Sequence, residues 1–342
     1  SATHPSPYAP INTVVSRPLK KMYANSLGHI TFDGGNQKSF TFKVNTGTEN
    51  AFRAPFFLAA GSQNITIKNC IISGEGANPS LATLLPLSAY DATQQRFDYQ
   101  SNNQVAGTFS TGILVRNNPP MESKNLTNTW GLDTLVNSNN VISDNEISNF
   151  GYGIVAIGNG ILFNTGAQRF QRYYNTNNIY NNNKIYNVAR AGIFLGFEEN
   201  SEVRHNRIYN VSNASKDAAG IIAGGEASGT RYGYNNIGLN ISANEISNII
   251  SASTAYGIKV EQFQVAIGSS SFPDVEESMR ISSNSIWDVI ADNATANRIG
   301  VLVRSSRDLS KTNAMEQLLT PRANNYNVRN SKIVNNTIVI PG

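Results

Sequence analysis

Apolar residues along this chain recur in short alternating runs of four to six positions, broken at regular places by asparagine. The stretch Asn181–Gly196, NNNKIYNVARAGIFLG, shows the pattern. Ile185 lies two residues after Asn183, Asn187 and Val188 follow at four and five, and Gly192-Ile193 comes shortly after. Alternation of this length is the period of a half-buried strand, and no segment shows a capped helical stripe.

The phrase repeats. Within this repeated phrase Asn-x-Ile recurs seven times in register, starting at Asn69, Asn145, Asn183, Asn206, Asn244, Asn284 and Asn336. Most copies lead to a Gly-Ile or Gly-Val pair, at Gly112, Gly153, Gly192, Gly220, Gly257 and Gly300. The asparagines are 76, 38, 23, 38, 40 and 52 residues apart. Such uneven spacing excludes helical repeats of fixed length and fits short strands stacked in coils joined by loops of variable length.

The pattern therefore predicts an all-β fold, a parallel solenoid of about seven to eight coils with three short strands per coil. One strand is the Gly-Ile phrase, one precedes the asparagine and one follows it. Like residues then stack at about 4.8 Å. Ile and Val fill the interior, and the asparagine turns inward at the bend between two strands. A lone buried amide would cost about 1–3 kcal/mol. In a stack, each amide donates to one neighbour and accepts from the other, so Asn69, Asn145, Asn183, Asn206, Asn244, Asn284 and Asn336 are expected to form an inward ladder. Asparagine also tolerates the left-handed backbone that such a bend requires.

These phrases resemble the right-handed parallel β-helix repeats of the pectin-lyase-like superfamily, in the style of secreted bacterial surface proteins. The resemblance covers residues 29–340, and HITFDGGNQKSFTFKV followed by APFFLAAGSQNITIKNC is similar to the first coils of such proteins. It implies a segment 1–28 that extends or caps the helix and one β-helix domain over 29–342. Insertions are expected at 75–110, 117–138, 158–177, 262–278 and 305–330, with a smaller one at 227–236.

Loops flanking the Gly-Ile strand build the substrate groove in that superfamily. Arg169, Arg172, Tyr173 and Tyr174 in one loop, and Arg231, Tyr232 and Tyr234 in another, have the mixed composition that stacks on sugars. On the Gly-Ile strands, Ile113, Ile154, Ile193, Ile221, Ile258 and Val301 should point inward. Leu114, Val155, Phe194, Ile222, Lys259 and Leu302 should point outward; five of the six are apolar, a stripe that needs a cover.

The resemblance also says what chemistry to seek. The superfamily's hydrolases carry Asn-Thr-Asp, Asp-Asp and Gly-His-Gly, and none of these occurs in the chain. Its lyases need a Lys or Arg base and a charge neutraliser, often calcium held by carboxylates. Lys259, Glu261 and Arg304 are the catalytic candidates for that chemistry. No carboxylate stack for calcium stands out, so calcium enters only under the lyase reading and no other cofactor or metal is implied. His205 occupies a mixed row with Lys68, Asp144, Asn182, Ala243, Ser283 and Asn335, which reads as a solvated edge.

Composition narrows the field. The 342 residues are 40% hydrophobic and 15% charged, enough apolar material for a long core. The formal charge of +4 is scattered, with no basic block beyond Lys20-Lys21, which argues against a nucleic-acid partner. No run approaches a membrane span. The single cysteine, Cys70, sits in an apolar strand and reads as a small buried hydrophobe. A start at Ser1 and an end inside a coil lead us to expect a processed piece whose last coil continues, or docks on another domain or copy. The expectation is a non-catalytic structural or adhesive module of an exported, cell-surface or extracellular protein, with glycans or other surface domains as partners. The alternatives are a lyase on an acidic glycan and a trimeric, tailspike-like glycan-binding module.

Overall fold

The computed structural model describes residues 28–45, 52–59, 61–75, 109–116, 136–158, 160–164, 169–225, 236–263, 278–293, 295–306 and 331–340, together with short strands at 89–91 and 96–98. These residues form a parallel β-helix. Its first face is an eight-stranded parallel sheet, one strand per coil, running from Thr31–Asp33 to Lys332–Val334. Eight coils follow from this count. The second face stacks the strands that come after the bend, from Phe40–Asn45 to Thr337–Val339. The third stacks the Gly-Ile strands, and the long strands Glu146–Ile157 and Lys184–Gly196 run round the corner to join second and third faces in one sheet.

In-register pairing makes the core. Ile147, Ile185, Ile208, Ile246 and Ile286 follow one another on the second face, and Ile113, Ile154, Ile193, Ile221 and Ile258 on the third. All are essentially inaccessible to solvent and belong to a single apolar cluster. Like side chains meet like at every strand spacing, so packing is continuous along the axis.

The glycine before each third-face isoleucine has a steric cause. A Cβ on Gly220 would lie 2.5 Å from Ile246 Cγ2 and 2.8 Å from the Gly257 carbonyl oxygen. Gly153, Gly192 and Gly257 sit on Ile185, Ile208 and Ile286 in the same way. The two halves of the repeated phrase thus lock together: the glycine of one coil makes room for the isoleucine of the next.

The inward amide ladder is present from Asn145 to Asn336. In each step the backbone N–H and the side-chain amide of one asparagine donate to the side-chain oxygen of the next, at 2.9–3.1 Å. Asn69 is the exception and the expectation for it is corrected. Its register is one residue off, and Cys70 fills the ladder position, with its backbone N–H on Asn145 Oδ1 at 3.0 Å. Asn69 instead donates to Asp33 and carries a left-handed backbone, φ 55°. The ladder residues are not themselves left-handed. That role belongs to the preceding row, Asn69, Asp144, Asn182, His205, Ala243, Ser283 and Asn335, so His205 has Asn69 as its counterpart in the second coil rather than Lys68.

The second asparagine of the phrase has its own reason. Asn149, Asn187, Asn210 and Asn248 are left-handed, with φ 51–65°, and turn outward. Asn210 donates to Asn187 Oδ1 at 3.2 Å and Asn248 to Asn210 Oδ1 at 2.7 Å, an outer ladder beside the inner one.

Two of the expected insertions meet. Strands Ala89–Asp91 and Arg96–Asp98 join Gly160–Asn164 and Arg169–Tyr173 in a four-stranded antiparallel sheet outside the coils. At the far end of the stack, Ile333, Val334, Ile338 and Val339 are exposed.

Candidate functional site

The third face carries a chain of buried and part-buried charges. The outward stripe behaves as its register requires. Leu114, Val155, Phe194 and Ile222 lie outside the core cluster yet are covered, and Phe194 meets the Tyr152 ring edge-on at 6.3 Å. In the sixth coil the same row switches to Lys259, paired in register with Ile222 and Leu302. Glu261 follows two residues on and pairs in register with Arg304. Strand periodicity therefore sends Lys259, Glu261 and Arg304 to one surface.

The structure brings these three together and adds two residues that sequence spacing did not single out. Arg190 forms an ion pair with Asp217 and also donates to the Asp217 backbone carbonyl. Asp217 Oδ2 receives the Lys259 ammonium at 3.2 Å, and Lys259 stands 3.4 Å from Glu261 Oε2. Glu261 Oε1 is bound by Arg304 through Nε and Nη2, each at 2.5 Å. The Lys259 ammonium also lies 5.1 Å from the centre of the Tyr256 ring. Charges alternate along Arg190, Asp217, Lys259, Glu261 and Arg304, and the chain of contacts crosses four successive coils.

Burial sets the electrostatics. Glu261 is wholly inaccessible, the Lys259 side chain is 11% exposed, and only the Arg304 side chain, at 47%, faces solvent substantially. Burial pushes the Lys259 ammonium towards deprotonation, but Asp217 and Glu261 outweigh it and hold the pKa above the ordinary lysine value. Burial likewise pushes Asp217 up, and Arg190 and Lys259 outweigh that, holding it below the usual carboxylate range. Lys259 is thus a firmly protonated cation between two carboxylates.

The loop candidates divide. Arg169, Arg172 and Tyr173 lie on the outermost strand of the antiparallel sheet, and Tyr173 is part-buried. Tyr174 is buried, with its ring 5.2 Å from that of Phe197, so it packs inward rather than offering a face to a ligand. Arg231, Tyr232 and Tyr234 lie outside the described residues.

A second polar cluster sits inside the solenoid. Glu198 is wholly buried and accepts from Asn175 at 2.8 Å, Asn178 at 3.0 Å, Ser201 at 2.7 Å and Tyr180 at 3.3 Å. It stands in a further amide row: Asn137 donates its backbone N–H to Asn175, Glu198 to Asn236, and Asn236 to Gln262. Burial raises the carboxyl to about 7, and the four donors offset this only in part. Among the described residues, no group of three or more His, Cys, Asp and Glu side chains is placed to hold a metal ion, and no helix is long and apolar enough to cross a membrane.

No protein-family model matches the chain, and no curated protein sequence matches it. Two solved structures are similar at a distance. One is the enzymatically active domain of bacteriophage CBA120 tailspike protein 2, 11% identical, covering 88% of this chain and 38% of the tailspike chain, with a TM-score of 0.32. The other is the Streptococcus pneumoniae surface protein and adhesin PfbA, 11% identical, covering 94% of each chain, with a TM-score of 0.23. The chain spans well under half of the tailspike domain, and the assignment of a parallel β-helix stands on the strand pairing described above.

Proposed function

We propose that this chain is a non-catalytic structural or adhesive β-helix module of an exported protein, acting outside the cell or at its surface, with glycans or other surface-protein domains as partners. The observation that carries this reading is the state of Lys259. A lyase base must hold a neutral amine or give up its proton easily, and the proton it abstracts must reach it. Lys259 is instead locked as an ammonium by Asp217 and Glu261 and is largely shielded from solvent. Arg304 is held by Glu261 at its Nε and Nη2. The network spends its charges on one another and staples four coils, which suits a stiff rod.

The test is direct. Pectate, alginate and hyaluronate are incubated with the protein, with and without calcium, and the ultraviolet absorbance of an unsaturated uronate is followed. We expect no product from the wild type, and a loss of thermal stability in Lys259→Ala. Product that forms with the wild type and vanishes in a folded Lys259→Ala would replace this reading with the lyase.

A further inference from the structure

The outer surface of the second face carries a row that neither the groove nor the core explains. In register order it reads Ser148, Tyr186, Tyr209, Ser247 and Trp287. Tyr186 and Tyr209 stack with ring centres 5.2 Å apart and planes within 6°. The two rings are therefore parallel, one on each of two successive coils. The Lys184 ammonium lies 5.0 Å from the Tyr186 ring centre, and the Arg207 guanidinium 5.5 Å from that of Tyr209. Each cation leans on a carboxylate of the neighbouring coil, Lys184 on Glu146 at 3.3 Å and Arg207 on Glu245 at 3.7 Å.

The stack is interrupted at Ser247. The next aromatic, Trp287, is two strand spacings beyond Tyr209, about 9.5 Å along the axis. Among the described residues no ring contacts Trp287, although it is only part-buried. Ser247 thus separates two aromatic positions of the row, Tyr209 and Trp287. The gap is floored by a hydroxyl, and Glu245 borders it from the adjoining outward row. On the other side lie Asn248 and Asp288, left-handed and turned outward.

We propose that this gap is a binding site for one hexopyranose ring, neutral or amino-bearing, seated over Ser247 between Tyr209 and Trp287. A pyranose has the thickness to fill it and presents C–H faces to aromatic rings on both sides. Its hydroxyl or amino groups meet Ser247, Glu245 and Asp288, all of which accept. Charge selects among sugars. Two carboxylates border the gap, and Arg207 beside it is already paired with Glu245, so a uronate is disfavoured. The site lies on a different face from the Lys259 network and stands whether or not that network is catalytic.

The test uses the full chain with Trp130→Phe, which leaves Trp287 as the sole tryptophan. Fluorescence is titrated with cellobiose, N,N′-diacetylchitobiose, chitobiose and digalacturonate. We expect a saturable change with at least one of the first three and at least tenfold weaker binding of digalacturonate. Ser247→Tyr places a ring in the gap and should abolish the response while the unfolding midpoint stays level or rises. Silence with all three uncharged or amino disaccharides overturns the proposal. So does a response that survives Ser247→Tyr, or one that favours digalacturonate.

Discussion

Asn206 and Asn244 are joined twice: the backbone N–H and the side-chain amide of Asn206 both donate to Asn244 Oδ1, each at 3.0 Å. The same side chain donates to the Tyr180 carbonyl at 2.9 Å, and its oxygen accepts both donors of Asn183. Asn206→Leu strips the buried Asn183 N–H of its acceptor and Tyr180 of a donor. Each loss costs about 1–3 kcal/mol, so we expect the variant to be less stable by about 3 kcal/mol, read from urea unfolding. An unchanged midpoint would remove the ladder as a source of stability.

Cys70 marks where the ladder stops. Its backbone N–H already reaches Asn145 Oδ1, and its thiol, which burial pushes above the ordinary pKa, lies in the ladder row. Cys70→Asn would add a second donor to Asn145 Oδ1. We expect a gain of about 1 kcal/mol in the same unfolding measurement; a loss would mean that this coil is too tight for the amide.

The ladder and the stacked isoleucines were legible because backbone register repeats them at a constant offset. The first copy misled because KNCIIS contains both Ile71 and Ile72, and only Ile71 follows an asparagine by two residues. Only the strand pairing of Ile72 with Ile147 settles the frame. The row of Asn137, Asn175, Glu198, Asn236 and Gln262 was not legible, since no apolar phrase of fixed length flanks those positions. Arg190 and Asp217 were missed for a related reason. Arg190 precedes its glycine by two residues, inside the strand Lys184–Gly196, and Asp217 precedes its own by three, in the connection before Ala218–Gly224, so no common offset marks them.

Glu198 predicts a pH dependence of stability. Its carboxyl rises from 4.5 to about 7 on folding. Between those values the folded protein keeps a proton that the unfolded chain releases. The contribution is therefore fully present below 4.5 and is lost as pH rises to about 7, amounting to about 3 kcal/mol. Wild-type stability should fall across this window. Glu198→Gln, which cannot ionise, should show a flatter profile; equal slopes for the two proteins would show that Glu198 does not control the transition.

The network on the third face predicts non-additivity. Lys259→Met leaves the inaccessible Glu261 with Arg304 alone and should cost about 3 kcal/mol. Glu261→Gln removes the charge that Lys259 neutralises. The double variant should be at least about 1 kcal/mol more stable than the sum of the two losses implies. Additive losses would mean that the two residues contribute separately.

Gly220 provides the sharpest test of how the coils interlock. Its missing Cβ is the space taken by Ile246 Cγ2, and the Gly257 carbonyl closes the other side. The carbonyl belongs to a hydrogen-bonded strand and cannot retreat without breaking the stack. Ile246 is confined between Ile208 and Ile286. Gly220→Ala, a one-carbon change, should therefore destabilise the protein by about 3 kcal/mol through overpacking. Gly220→Ala combined with Ile246→Val should recover part of that loss, because valine removes the Cδ1 methyl and lets the side chain shift. Rescue would tie the Gly-Ile phrase to the Asn-x-Ile phrase of the following coil. If the second substitution deepened the loss by its full separate cost, the strain would lie at the Gly257 carbonyl instead.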